Sequence, residues 1–172
     1  MLKICGTLFL LSGCIGYGIS ASNNLQSAIN EVKEFVYMYQ LLRSAISYQK
    51  ETLPDACRHA GEKIDSSLGR LLRTISEEME KDRQNTFSHM WKMACNEYFS
   101  KSFLSKKQKE YILRFPDYIG FSDESMQILV IDEYLSTLSG QLSEMEKKIV
   151  ERKRVIMGVS AVSGMILTIL LL

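Results

Sequence analysis

The chain has 172 residues and a formal net charge of +1, from 21 Lys and Arg against 20 Asp and Glu. Such a balance produces no overall field that would attract nucleic acid, so no nucleic-acid partner is expected. The roughly 130 residues between two apolar ends are enough for one domain with its own core.

The N-terminal end carries an apolar stretch, broken only by Lys3, that reaches about residue 20. It predicts an uncleaved transmembrane helix over residues 2–20, a secretory signal cleaved near Ser22, or a lipoprotein signal. The lipoprotein alternative rests on Leu11-Ser12-Gly13-Cys14, which fits the usual leucine, small, small, cysteine pattern. We favour the transmembrane helix, because export would place the cations beside the second apolar end on the outer face.

Residues 21–154 predict an all-α domain, because prolines are few and no stretch alternates as a half-buried strand would. Apolar periodicity predicts a bundle of about six helices, at 24–50, 54–63, 66–83, 86–100, 105–114 and from 122 onward. Pro54 and the capping box Ser105–Gln108 mark two of the starts, whereas Pro116 and Gly120 are expected to break the chain. The predicted core is Leu68, Leu71, Leu72, Ile75, Met79, Trp91, Ala94, Tyr98 and Ile112.

The first and last soluble helices are predicted to be long and to pair antiparallel as a stalk. The first has an apolar stripe from Leu25 to Ile46 that Arg43 interrupts, and the last has about three heptads of apolar residues from Ile128 to Ile149. The competing account is that either seam joins a second copy, which would give a homo-oligomer.

The C-terminal end, residues 155–172, contains no charged residue. As a helix it would be about 27 Å long, near the thickness of a bilayer's hydrocarbon core, which predicts a second transmembrane helix. A cluster of cations precedes it, and such residues favour the cytoplasmic side of a span. The central domain is therefore expected in the cytoplasm, with the topology determined by Lys147, Lys148, Arg152, Lys153 and Arg154.

Catalytic chemistry is poorly represented in the sequence. Cys57 and His59 diverge on a helix, as do His89 and Cys95, so we predict no catalytic residue, metal site or cofactor and expect buried thiols. No phosphate-cradling glycine loop followed by Lys is present, so any energy source must come from another protein. A small basic patch fits either lipid headgroups, an acidic partner or plain solvation. It comprises Lys101, Lys106, Lys107 and Lys109.

Several local signatures occur together and in order along the chain. They are Met1-Leu2-Lys3, Ala45-Ile46-Ser47-Tyr48, Leu53-Pro54-Asp55-Ala56, Met90-Trp91-Lys92-Met93-Ala94, and Ile119-Gly120-Phe121-Ser122-Asp123 with Gln127. In this order and spacing the chain resembles the stage III sporulation protein AB family over essentially its whole length. The residues that carry the resemblance have structural roles, and they are Tyr48, Leu53, Pro54, Trp91, Gly120, Ser122, Asp123 and Gln127.

The resemblance implies a fold, a place and a partner. The family's bundle is similar to the cytoplasmic domain of the type II secretion F protein, and its members would lie in the mother-cell membrane facing the forespore. The implied partner is the stage III sporulation protein AA ATPase, together with other components of the same complex. The expected function is a non-catalytic scaffold that couples this ATPase to a channel-like assembly. The alternative is an exported, membrane-tethered lipoprotein that acts as a binding module.

Overall fold

The structure, a computed structural model, describes residues 2–81, 86–119 and 123–171, with few side chains before residue 22 and after residue 149. Regular structure in these ranges is entirely helical, which confirms the predicted all-α class. The helices are α1 (Leu2–Gln49), α2 (Leu53–Lys63), α3 (Ser67–Lys81), α4 (Phe87–Phe99), α5 (Lys106–Leu113), α6 (Phe115–Ile119) and α7 (Glu124–Leu171).

Two compact units divide the chain, and each is described by itself. One comprises Met1–Ile29 with Ser143–Leu172, and its described backbone is the start of α1 and the end of α7. Within the described residues, no helix meets both the length and the apolar character that crossing a bilayer demands. The predicted spans at 2–20 and 155–172, and the stalk of paired long helices, are not confirmed and stay predictions.

The second unit, Asn30–Leu142, is a helical bundle whose predicted helix starts are largely confirmed. Pro54 lies in the first turn of α2, where its missing N–H costs little. The Thr86 side chain accepts a hydrogen bond from the His89 amide at the start of α4. The capping box of Ser105 and Gln108 opens α5, with both of its reciprocal hydrogen bonds formed.

The expected break at Pro116 is wrong, because Phe115–Ile119 form the short helix α6. Pro116 occupies the first turn of this helix, a position where proline's fixed φ suits the helix and its absent N–H would be unpaired anyway. The amide of Asp117 donates to the Arg114 carbonyl at 3.0 Å and so continues the turn from α5. The predicted break at Gly120 lies outside the described residues.

The crossing of α2 and α3 depends on two glycines. A Cβ on Gly69 would lie 1.8 Å from the Ile64 carbonyl oxygen and 2.9 Å from that of Gly61. A Cβ on Gly61 would in turn lie 2.8 Å from the Gly69 carbonyl oxygen. Because these neighbours are backbone atoms, they cannot move aside as a flexible side chain could. The two helices therefore approach each other backbone to backbone.

Aromatic rings fill the centre of the bundle. Trp91 is fully buried, and its Nε1 donates to the Ile112 carbonyl at 3.0 Å, which ties α4 to the end of α5. Phe115 lies 5.3 Å from the Trp91 ring and 4.8 Å from that of Tyr39, centroid to centroid. Six of the predicted core residues are buried, whereas Met79, Ala94 and Tyr98 are only half-buried.

Replacing Gly69 by alanine should strongly destabilise the bundle, because the new methyl group would overlap the Ile64 carbonyl. We expect Gly69→Ala to lower the free energy of unfolding by about 3 kcal/mol, at the upper end of typical overpacking costs. The midpoint of urea unfolding, followed by circular dichroism on the full chain in detergent, measures the change. Gly140→Ala is the matched control, since no atom lies within 4 Å of its Cβ. The free energy of unfolding of this control should rise by about 1 kcal/mol, because alanine has a higher helix propensity than glycine. An equal fall in the free energy of unfolding of both variants would contradict the close crossing of α2 and α3.

The buried Tyr39 hydroxyl provides a second test. Its oxygen has no hydrogen-bond partner among the described residues, and burial raises the pKa of this phenol well above its usual value. Because Tyr39→Phe removes an unsatisfied polar group, it should leave stability unchanged or raise it by about 1 kcal/mol. Tyr134→Phe instead removes a hydrogen bond to the Tyr111 carbonyl and should cost about 1 kcal/mol. Thermal unfolding measures the stability of both variants. A clear loss of stability in Tyr39→Phe would contradict the prediction.

Candidate functional site

The described thiols are placed for packing rather than for chemistry. Cys57 and Cys95 are fully buried, as predicted, and both are free. Burial raises the pKa of the Cys57 thiol to about 12 and raises that of Cys95 as well. Since the thiolate is the reactive form, neither is a nucleophile at neutral pH. The side chains of Cys5 and Cys14 lie outside the described residues.

A metal centre finds no support in the part of the chain that the structure describes. No group of three His, Cys, Asp or Glu residues there is arranged to hold a metal ion. His59 lies against the Glu51 carboxylate, with Nδ1 2.8 Å from Oε1, and His89 is exposed at the start of α4. The His59–Glu51 contact joins α2 to the segment that follows α1.

The signature residues divide between the core and one end of the bundle. Trp91 lies in the core, as expected for an anchor of the bundle centre. Leu53 and Pro54 start α2, and the Pro54 carbonyl accepts a hydrogen bond from Ser76 at 2.9 Å. Asp123 precedes α7, where its carbonyl accepts from the Gln127 amide. Gly120 and Ser122 lie outside the described residues.

The starts of α2 and α7 meet around a cavity of about 240 Å³, which we call the bundle-end site. The Lys50 ammonium group lies 2.5 Å from Glu124 Oε1 across it. Lys50 also has a positive φ of 58°, which reverses the chain between α1 and α2. The second carboxylate oxygen of Glu51 is buried without a partner among the described residues. The cavity is lined by Ile46, Lys50, Glu51, Thr52, Leu53, Glu124 and Gln127.

Next to this site, large apolar side chains are exposed. Tyr48 is 78% exposed near the end of α1, and Leu129 is 63% exposed on α7. Met126 precedes Leu129 by three residues and is also exposed, so the two are neighbours on one face of α7. Three residues beyond Leu129, Asp132 pairs with Arg43 through two hydrogen bonds, of 2.5 and 3.3 Å. We call Tyr48, Met126, Leu129 and the Arg43–Asp132 pair the α1–α7 ridge.

The pairing of Arg43 with Asp132 was missed from sequence. Arg43 stood out because it interrupts the apolar stripe of α1, and Asp132 is the acidic residue beside Ile131 in the stripe of α7. A cation within one helical seam and an anion that flanks the other are the signal that could have joined them. The pKa of the Arg43 guanidinium is raised, chiefly by Asp132 and to a smaller extent by Tyr48, which indicates that Tyr48 lies near this ion pair.

The cations that determine the predicted topology lie in the unit Met1–Ile29 with Ser143–Leu172. Lys147, Lys148 and Arg154 are exposed on α7, and Lys148 forms an ion pair with Glu144 one turn earlier. The side chains of Arg152 and Lys153 lie outside the described residues. The orientation that these cations predict is therefore neither confirmed nor contradicted.

Comparisons with known proteins bear on the family. A solved structure described as stage III sporulation protein AB (SpoIIIAB) matches with a TM-score of 0.63 and 17% sequence identity, covering 72% of this chain and 96% of that one. At this identity the likeness shows a shared fold. The search among curated proteins gave no match. The family model for stage III sporulation protein AB, however, matches residues 3–172, and the chain therefore belongs to that family.

Proposed function

We propose that this protein is a non-catalytic membrane scaffold that couples a cytoplasmic ATPase to a sporulation complex. The observation that carries the proposal is the family match over residues 3–172, which supports a role in sporulation. The inert thiols fit a non-catalytic role. An exposed apolar surface beside the bundle-end site fits a protein that works through partners.

The scaffold is anchored by its two apolar ends in this proposal. Residues 2–20 and 155–172 form the spans, and residues 21–154 lie in the cytoplasm of the mother cell, on the membrane facing the forespore. The uncharged stretch after Arg154 and the cations before it support this arrangement. The anchored bundle then presents its surface to cytoplasmic components.

The stage III sporulation protein AA ATPase is the proposed partner, and we place its docking surface on the α1–α7 ridge. Tyr, Arg and Met are enriched at protein interfaces, and the ridge carries one of each beside Leu129. Tyr48 has more of its surface in water than the other exposed aromatic side chains described. The Arg43–Asp132 ion pair links α1 to α7 within the ridge, with 37% and 44% of the two side chains exposed, so it adds polar contacts to the surface rather than much stability.

The role and the topology can be tested together in a spore-forming host. Deleting the gene should block spore formation after engulfment, and the full chain should restore it. Reporter fusions after Lys50 and after Gly140 should both show a cytoplasmic location. Normal spore yield from the deletion strain would contradict the proposed role. An intact mass that lacks the first thirteen residues and carries lipid on Cys14 would instead favour the exported lipoprotein.

The docking surface can be tested by truncating the ridge. Tyr48→Ala combined with Leu129→Ala should weaken binding of the full chain in nanodiscs to the AA ATPase by about tenfold or more, as loss of interface anchors does. Biolayer interferometry measures the affinity, and spore yield of the variant strain gives a second readout. Met93→Ala is the control, because Met93 is 63% exposed elsewhere, on α4. Unchanged affinity in the double variant would show that the ATPase binds another surface.

A further inference from the structure

The segment between α4 and α5 is fastened to α1 by one carboxylate. Glu31 Oε2 accepts a hydrogen bond from the Ser102 hydroxyl at 2.5 Å, and Oε1 accepts from the Phe103 amide at 2.8 Å. The Leu104 side chain is buried, and its amide donates to the Ser102 hydroxyl at 3.1 Å. With the capping box of Ser105 following at once, the backbone on both sides of Phe103 is held in place.

Phe103 is half exposed in spite of this anchoring. Its side chain keeps 50% of its surface in water, whereas Phe99 and Leu104 on either side along the chain are buried. The exposed half of the ring adds nothing to the apolar area that the fold buries. The exposure is therefore a property of the folded surface rather than of a loose loop, and it leaves the ring available to an external surface.

The lysines around Phe103 have different roles. Lys109 is used internally, since its Nζ donates to the carbonyls of Phe99 and Ser102 and lies 5.7 Å from the Phe99 ring centroid. Lys101 and Lys107 are exposed, and neither has a carboxylate within 4.0 Å among the described residues. Lys106 approaches Glu110 only at 3.9 Å, with 92% of its side chain in solvent, so this pair is weak. Phe103, Lys101, Lys106 and Lys107 form what we call the Phe103 patch.

We propose that the Phe103 patch rests on the surface of an anionic phospholipid bilayer, an inference that depends on the proposed membrane anchoring. Exposed lysines are attracted to anionic headgroups, and an aromatic ring between them can enter the interface. Glu31, which holds the segment, follows the apolar stretch ending near Ile19 by only twelve residues. Tyr48, by contrast, lies seventeen residues further along α1, about 26 Å at the rise of an α-helix.

A bilayer fits the patch better than an acidic protein does. A protein interface of ordinary size buries a broad surface with an apolar centre. The Phe103 patch has one apolar side chain and three exposed lysines close to it along the chain, and each long lysine side chain can reach a headgroup independently. A lipid surface can bind that arrangement without shape complementarity. Because Glu31 holds the patch and is close along the chain to the proposed first span, anchoring would keep the patch near the bilayer.

Photo-crosslinking of the full chain in nanodiscs tests the inference. p-Benzoylphenylalanine replaces either Phe103 or Tyr48, two exposed aromatic residues, and discs contain phosphatidylcholine alone or with phosphatidylglycerol. Intact mass spectrometry counts lipid adducts. We expect adducts at position 103 in phosphatidylglycerol discs, about tenfold fewer at position 48, and a similar fall at 103 with Lys106→Glu and Lys107→Glu. Circular dichroism confirms that each variant is folded.

Each contrary outcome has a distinct meaning. If the chain stays in the discs but gives equal yields at 103 and 48, no lipid adduct at 103, or adducts to a second copy, the inference is overturned and the anchoring stands. If the yield of lipid adducts at position 103 depends neither on phosphatidylglycerol nor on the lysine substitutions, the preference for anionic lipid is overturned. If the chain does not co-purify with the discs at all, the proposed anchoring fails and the inference falls with it.

Discussion

The packing of Phe115 is the constraint on which the rest of the bundle depends. Its ring contacts Tyr39 from α1, Phe87 and Trp91 from α4, and Tyr134 from α7, with centroids 4.8 to 6.4 Å away. All four pairs have the tilted or edge-on geometry that aromatic quadrupoles favour. Because α6 has only five residues, it could not persist as a helix without this burial. One side chain on the shortest helix thus brings three other helices together.

This dependence explains which parts of the fold could be predicted. Helices with their own start signals, such as Pro54 in α2 and the capping box of α5, were predicted close to where they occur. The apolar stripe of α3 likewise identified its buried face. Helix α6 was missed because the same proline signal that ends one helix can begin another, and only contacts distant in sequence decide between the two.

The candidate site was predictable only in part, for a related reason. The residues from Leu53 to Asp55 and from Asp123 to Gln127 were each singled out as local signals, but no spacing rule links segments about seventy residues apart. Their meeting follows from the register of α1 against α7, which pairs Lys50 with Glu124 and Arg43 with Asp132. That register is a property of the packed bundle. Sequence periodicity identifies only which face of each helix can pack, and it does not give the position of one helix along the other. Isolated charged residues in or beside those faces, such as Arg43 and Asp132, are the sequence feature that bears on the register.

The left-handed backbone of Lys50 has a consequence for how the protein can change. A residue with a side chain pays roughly 1–2 kcal/mol for this conformation, which glycine adopts freely. Glycine, however, would remove the ammonium group that reaches Glu124 across the bundle-end site. Backbone conformation and the charged contact with Glu124 therefore favour different amino acids at this position. A lysine here marks the point at which the chain gives up some folding stability to keep a charge in place.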